Sequence, residues 1–225
     1  MNRRQLLISL VAIAVIAIGV IAYMVFATPV DNGPTLASGG TTYKVTISAD
    51  DRTQGNPKAP ITMVEYAAPT CPHCAHFDMA LFPFIKKNYI DTGKVYYVFR
   101  VFPLSQVDIA AESMARCLPA SSYFQFIDLL FRNQPKWDPD GYQIPDVHAA
   151  LVDMGRIAGM SADQVDKCIN DPAANKRAAD VGTYAQTNYG INGTPTFVVN
   201  GQIAPPFEAT DDIKKYLDAL LAQKK

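Results

Sequence analysis

The stretch Ile61-Thr62-Met63-Val64-Glu65-Tyr66-Ala67-Ala68-Pro69-Thr70-Cys71-Pro72-His73-Cys74 decides the fold. Its first six residues have the apolar and β-branched texture of a strand, and a Cys-x-x-Cys follows within a few residues. From Pro72 to Asn88 the positions Phe77, Leu81, Phe84, Ile85 and then Tyr89 recur mostly at spacings of three and four, as on one face of a helix. Pro83 should kink that helix without ending it, because the pattern continues beyond it. Asp91-Thr92-Gly93 closes it, and Val95 to Val101 reads as another strand. The sum is a β-α-β unit with both cysteines at the strand-to-helix turn.

Upstream, Tyr43-Lys44-Val45-Thr46-Ile47 alternates like a first strand. Downstream, from about residue 105 to 189, helical periods replace the strand texture: Val107 to Leu118, Ser121 to Phe131, Asp146 to Ala158, Ser161 to Ile169 and Ala173 to Tyr189. Ser161 with Gln164 has the spacing of a capping box. Strand pattern returns at Thr196 to Val199, turns at Asn200-Gly201 and continues at Gln202-Ile203, a strong hairpin signal. A last helix is expected from about Asp211 to Leu221, with Ile213, Tyr216, Leu217 and Leu220 on one face. The expected architecture over residues 43–225 is therefore α/β, with a helical insertion splitting the sheet-forming halves.

The N-terminus has a different character. Leu6 to Ala27 holds no charged residue and follows Arg3 and Arg4. About 20 apolar residues suffice to cross a bilayer, and positive charge before them keeps the N-terminus in the cytoplasm. The segment at 1–27 is expected to direct export, and its length favours a retained anchor over a cleaved signal, for which Val25-Phe26-Ala27 offers a site. Residues 28–42, rich in Pro, Gly, Asn and Ser, read as a flexible linker. The catalytic part is then periplasmic or otherwise extracytoplasmic, held at the inner membrane. Removing Arg3 and Arg4 from the 20 basic residues leaves 18 against 21 acidic ones, with no like-charged block, so nucleic acid is not an expected partner.

The four cysteines divide by spacing. A sulfur at a helix start meets unsatisfied N–H groups and the positive end of the helix dipole, which favour thiolate; Cys71 is the expected nucleophile. Cys74, one turn further on, is placed to resolve a mixed disulfide. Pro72 sits where a helix tolerates proline, and His73, when protonated, adds positive charge beside the thiolate. Cys117 and Cys168 lie far apart in the helical region. A bond between them would close a loop of about 50 residues and add roughly 4 kcal/mol in the loop-entropy account, so they read as structural, with a second redox relay as the rival. One Cys-x-x-Cys with two distant single cysteines is not a zinc spacing, and neither His76 nor His148 suggests a metal site. Trp137 and the aromatic residues around it read as core.

With the Cys71-Pro72-His73-Cys74 motif, the Gly193-Thr194-Pro195-Thr196 loop ahead of the hairpin, and the helical segment between them, the chain resembles the DsbA-like thiol-disulfide oxidoreductases of the thioredoxin superfamily over nearly all of its exported part. The resemblance implies a thioredoxin-like fold with a helical insertion and a redox-active Cys71–Cys74 disulfide. It implies a cis bond before Pro195, with the Thr194 backbone pairing an extended substrate. It also implies a buried acid at Glu65 that relays the proton of Cys74. Thr194 departs from those members with an aliphatic residue there. The expected substrates are unfolded or partly folded exported proteins with free cysteines, the expected reoxidant a membrane partner, the expected state a monomer, and neither cofactor nor metal is implied. A disulfide isomerase or reductase, or a peptide-binding chaperone module, are the alternatives.

Overall fold

A computed structural model of the protein describes residues 41–223. The expected membrane segment, and the linker as far as residue 40, lie outside the described residues. Among the described residues no helix is long and apolar enough to cross a membrane.

The centre of the molecule is β2 (Ile61–Ala67), flanked by β3 (Val95–Val101) in parallel and by β4 (Thr196–Val199) in antiparallel pairing. β1 (Arg52–Gln54) and β5 (Gln202–Ile203) complete the five-stranded order β1-β3-β2-β4-β5. A strand with neighbours on both edges and cover on both faces must be apolar throughout, and β2 is, apart from Thr62 and Glu65. Its alternation sends Ile61, Met63 and Ala67 into the larger core and Val64 and Tyr66 into a smaller one behind the sheet. Glu65 shares the register side of Met63 and Ala67, facing the larger core.

The connection from β2 to β3 is helical from Pro72 to Ile90 but not uniform. α1 (Pro72–His76) passes into a π-helical turn at Phe77–Leu81, then α2 (Phe82–Ile85) and a second π turn at Lys86–Ile90. Pro83 falls in the first turn of α2, where its missing N–H is tolerated, and the π turn before it absorbs the misfit. The expected kink is thus a wide turn placed ahead of the proline.

The insertion comprises α3 (Gln106–Cys117), a single 3-10 turn, α4 (Tyr123–Arg132), α5 (Gln134–Trp137), α6 (Val147–Ile157), α7 (Ala162–Ile169) and α8 (Pro172–Tyr189). Its boundaries follow local chemistry. The side chain of Asp146 accepts from the Ala149 N–H, Ser161 and Gln164 bond each other's backbone N–H groups, and Asp171 caps α8, which ends on left-handed Gly190. α5 was not foreseen: four residues give no period to read, and Trp137 anchors it, fully buried with its indole N–H on the Leu130 carbonyl at 2.8 Å. After β5, α9 (Thr210–Ala222) packs Ile213, Tyr216 and Leu217 into the larger core.

One expectation fails. Tyr43 to Ile47 does not pair as a strand. It is an extended strap whose alternate residues Tyr43, Val45 and Ile47 pack on the smaller core, and the first strand of the sheet is β1, paired with β3. The alternation is real, but the backbone is held from other directions: the Tyr43 N–H donates to the Gly201 carbonyl at 2.7 Å, and Arg100 donates to the Thr46 carbonyl at 2.7 Å. Gly201 has φ +84°, and a Cβ there would meet the Tyr43 carbonyl oxygen at 2.3 Å, so the hairpin turn and the strap share one residue that must be glycine.

Cys117, the last residue of α3, is bonded to Cys168 in α7 across 51 residues of sequence. Replacing either by serine should lower the denaturant midpoint, on the order of 4 kcal/mol in stability, whereas serine at both Cys71 and Cys74, compared with the reduced protein at about pH 5 where Cys71 adds little thiolate stabilisation, should cost little. Equal losses in the two variants would contradict this division.

Candidate functional site

Four elements meet at the sulfurs. β2 delivers the chain to the loop 68–70, which is fastened by two buried side chains from the insertion. Asp108 Oδ1 accepts from the Thr70 N–H at 2.8 Å, and its Oδ2 from the Thr70 hydroxyl at 3.1 Å and from the N–H groups of Leu104 and Ser105. The Gln134 amide donates to the carbonyls of Pro69 at 2.8 Å and Cys71 at 3.1 Å. Sequence reading missed both. Asp108 had one visible signal, its place three residues into a helix whose cap is Ser105; Gln134 had none, because its partners are more than 60 residues away.

Cys71 is the N-cap of α1. The Cys74 N–H points at its Sγ from 3.4 Å, and its thiol donates to the Thr194 carbonyl at 3.3 Å. Pro195 follows Thr194 through a cis peptide bond, so the loop carrying it lies against the sulfur. The Thr194 hydroxyl is buried and has no partner among the described residues. It is available to a thiolate. The Cys71 sulfur is drawn down to about 5, first by the Cys74 thiol and then, against the opposing cost of burial, by the Thr194 hydroxyl and the backbone N–H groups of Cys74 and His73. His73 itself is exposed, and what it lends the sulfur here is its backbone N–H.

Cys74 is the opposite case. It is fully buried, and burial, the Cys71 sulfur and Glu65 together push its thiol well above the ordinary range. Glu65 lies in the same core, 2% exposed, with Oε2 accepting from the Tyr97 hydroxyl at 2.6 Å. Burial drives its carboxyl up to about 8, opposed by the Tyr97 bond and reinforced by Asp78 and Cys71. The structure therefore brings Cys71, Cys74, Glu65, Thr194 and Pro195 together. His76, exposed on α1, and His148, paired with Asp166 at 2.6 Å, lie apart from one another, and among the described residues no cluster of His, Cys, Asp or Glu is fit to hold a metal.

A sheet of this order with a Cys-x-x-Cys opening the helix after its central strand, faced by a cis-proline loop, defines a thioredoxin-type dithiol protein. The thioredoxin family description matches residues 48–219, and the chain belongs to that family. Among solved structures it resembles Wolbachia pipientis alpha-DsbA1, with TM-score 0.72 and 29% identity over 80% of this chain and 94% of that one. Oxidised BdbD of Bacillus subtilis, at 23% identity and TM-score 0.69, shares the fold over 81% of this chain and 98% of its own. A Rickettsia typhi relative, provisionally named a protein-disulfide oxidoreductase, is 35% identical over 184 residues, 80% of this chain and 66% of the relative. The chain thus spans just under two-thirds of that relative's length.

The two perturbed acids act on stability in opposite directions. Glu65 is raised in the fold, so the stability it leaves intact at low pH is lost as pH climbs from about 4.5 to about 8, by roughly 1.4 kcal/mol per unit. Cys71 is lowered, so its contribution is present at high pH and disappears as pH falls through about 5. Glu65→Gln should therefore stabilise both redox forms at pH 8 and hardly change them at pH 4, while the reduced form gains on the oxidised form as pH rises from about 5. Denaturant titrations of both forms across that range check it; a Glu65→Gln effect independent of pH would contradict it.

Proposed function

We propose that the protein is an extracytoplasmic thiol-disulfide oxidoreductase that donates the Cys71–Cys74 disulfide to exported proteins carrying free cysteines. The observation that carries this reading is the asymmetry of the pair: Cys71 Sγ caps the helix start between the Cys74 N–H and the Thr194 carbonyl, an arrangement that lowers its pKa, while Cys74 is fully buried in the core that holds Glu65, which raises its own.

A substrate thiolate attacks Cys71 Sγ, and the electron pair of the S–S bond leaves on Cys74, which takes a proton from Glu65. A second substrate thiolate then attacks the substrate sulfur of the mixed disulfide and expels Cys71. A leaving sulfur stable as thiolate leaves fast, and the reduced enzyme is the favoured product, which is what makes the disulfide an oxidant: about 30 mV for each pKa unit below ambient pH. The Thr194 carbonyl and the cis-Pro195 loop serve an extended substrate as a short edge to pair with. His73, when protonated, adds positive charge at the entrance. The Cys117–Cys168 bond is structural in this account.

Residues 1–27 supply the export signal, retained as an inner-membrane anchor, and residues 28–42 the tether; a membrane partner reoxidises the dithiol, and the enzyme works as a monomer. The names of the relatives support the oxidase reading. A disulfide isomerase or reductase is the second reading, because a buried hydroxyl at Thr194 stands where some members of the family carry an aliphatic residue.

Cys74→Ser should accumulate mixed disulfides with reduced exported proteins, Cys71→Ser should accumulate none, and the oxidised wild type should convert a dithiol peptide to its disulfide one for one. Non-reducing gels and mass spectrometry read all three. No adduct on Cys74→Ser together with no peptide oxidation would leave only a binding module.

A further inference from the structure

Glu65 is sealed in the core, so a relay built on it needs a route for its proton to reach water. Its hydrogen-bond partner among the described residues is the Tyr97 hydroxyl, and Tyr97 lines a cavity of about 280 Å³ between the active-site helix and the insertion. That space is enough for several waters at about 30 Å³ each. Asp78, from the first π turn, and Asp128, from α4, border the same cavity within hydrogen-bonding reach of each other. Two carboxylates so placed cannot both be ionised cheaply. Arg132 holds Asp128 from the solvent side through two bonds of 2.8 and 2.9 Å, and Lys86 at the rim is paired with Asp91 at 2.6 Å. The charged and titratable groups facing Asp78 are thus Asp128 and Arg132 from α4, Lys86 from the second π turn, Glu65 from β2 and Tyr97 from β3.

We infer that Asp78, lying against Asp128, exchanges a proton with Glu65 past Tyr97, the two aspartates forming the solvent end of the proton path that serves Cys74. The inference rests on the Glu65 relay proposed above and extends it to two residues from separate parts of the fold. Burial and Asp128 push Asp78 up to about 7, and burial pushes Glu65 up to about 8, so both carboxyls hold a proton well above the usual carboxylate range. In the oxidising direction Cys74 leaves with the electron pair and takes the proton of Glu65, which is refilled from the aspartate pair and finally from water. Reoxidation of the dithiol runs the same proton outward. Asp78 and Asp128 act through Glu65 and touch neither sulfur nor substrate in this scheme.

Stopped-flow reduction of the oxidised full chain by a dithiol peptide from pH 5 to 9, with carboxyl carbon NMR of the same proteins, tests the path. Asp78→Asn should slow exchange roughly tenfold near pH 7, a fraction of what general acid–base catalysis contributes. It should also move the Glu65 titration downward, because a negative neighbour is gone. Combined with Glu65→Gln it should add no further slowing, and Asp78→Glu, which keeps a carboxyl, should recover most of the rate. Should Asp78→Asn not fold, Asp128→Asn on the half-exposed face of α4 reads the same step, with several-fold slower exchange and a lowered Asp78 titration. A slow Glu65→Gln beside wild-type rates for both Asp78→Asn and Asp128→Asn overturns the aspartate pair and leaves the Glu65 relay standing. A Glu65→Gln that exchanges at the wild-type rate at every pH overturns both. Additive slowing in the double variant marks Asp78 as a packing residue and overturns the inference.

Discussion

The start of α1 faces two ways at once. Its first N–H groups and the Thr194 carbonyl converge on Cys71 Sγ, while one turn later the same helix drives Cys74 into a core that also holds Glu65. Helix geometry fixes the sulfurs about one turn apart, so charge is welcomed at one and excluded at the other over a few ångströms. Everything else in the fold serves that contrast. β2 aims the loop, Asp108 and Gln134 lock it from the insertion, and the cis-Pro195 loop closes the third side. A shift of the helix start by one residue would move the N–H groups away from Cys71 and bring Cys74 out of the core.

The helical insertion, seen this way, is part of the site. It supplies both clamps on the loop, covers the core above Glu65 with Tyr123 and Phe124, and contributes Asp128 and Arg132 to the cavity beside Tyr97. The Cys117–Cys168 bond ties α3, which carries Asp108, to α7. The proposed function requires the Cys117–Cys168 bond to stay out of the exchange; the two pairs sit in different elements, and Cys71 is the sulfur favoured as thiolate.

Much of this was legible in the sequence because it is local. The strand before the Cys-x-x-Cys, the helix after it, the Asn200-Gly201 hairpin and the Ser161 capping box depend on neighbours within a few residues, and periodicity reports such neighbours well. Tyr43 to Ile47 misled for the same reason: alternation says that every second side chain is buried, and it does not say what the backbone bonds to. β1, three residues long, was too short to show a pattern. Gln134 and the approach of Asp78 to Asp128 escaped entirely, since each is made by segments brought together from 50 or more residues apart, and no period or motif records such a meeting. Glu65 was singled out by resemblance; its companion Tyr97 read only as a strand residue.

The proposed function requires Cys71 to be ionised in the reduced protein at neutral pH, with the disulfide a strong oxidant in consequence. Thiolate absorbance against pH, followed on the same sample by equilibration with glutathione, measures both halves of that statement. A transition near pH 5 that vanishes in Cys71→Ser, with a potential far above thioredoxin's value of about −270 mV, is the expected result. A transition near the free-cysteine value of about 8.5, or a potential close to thioredoxin's, would contradict it.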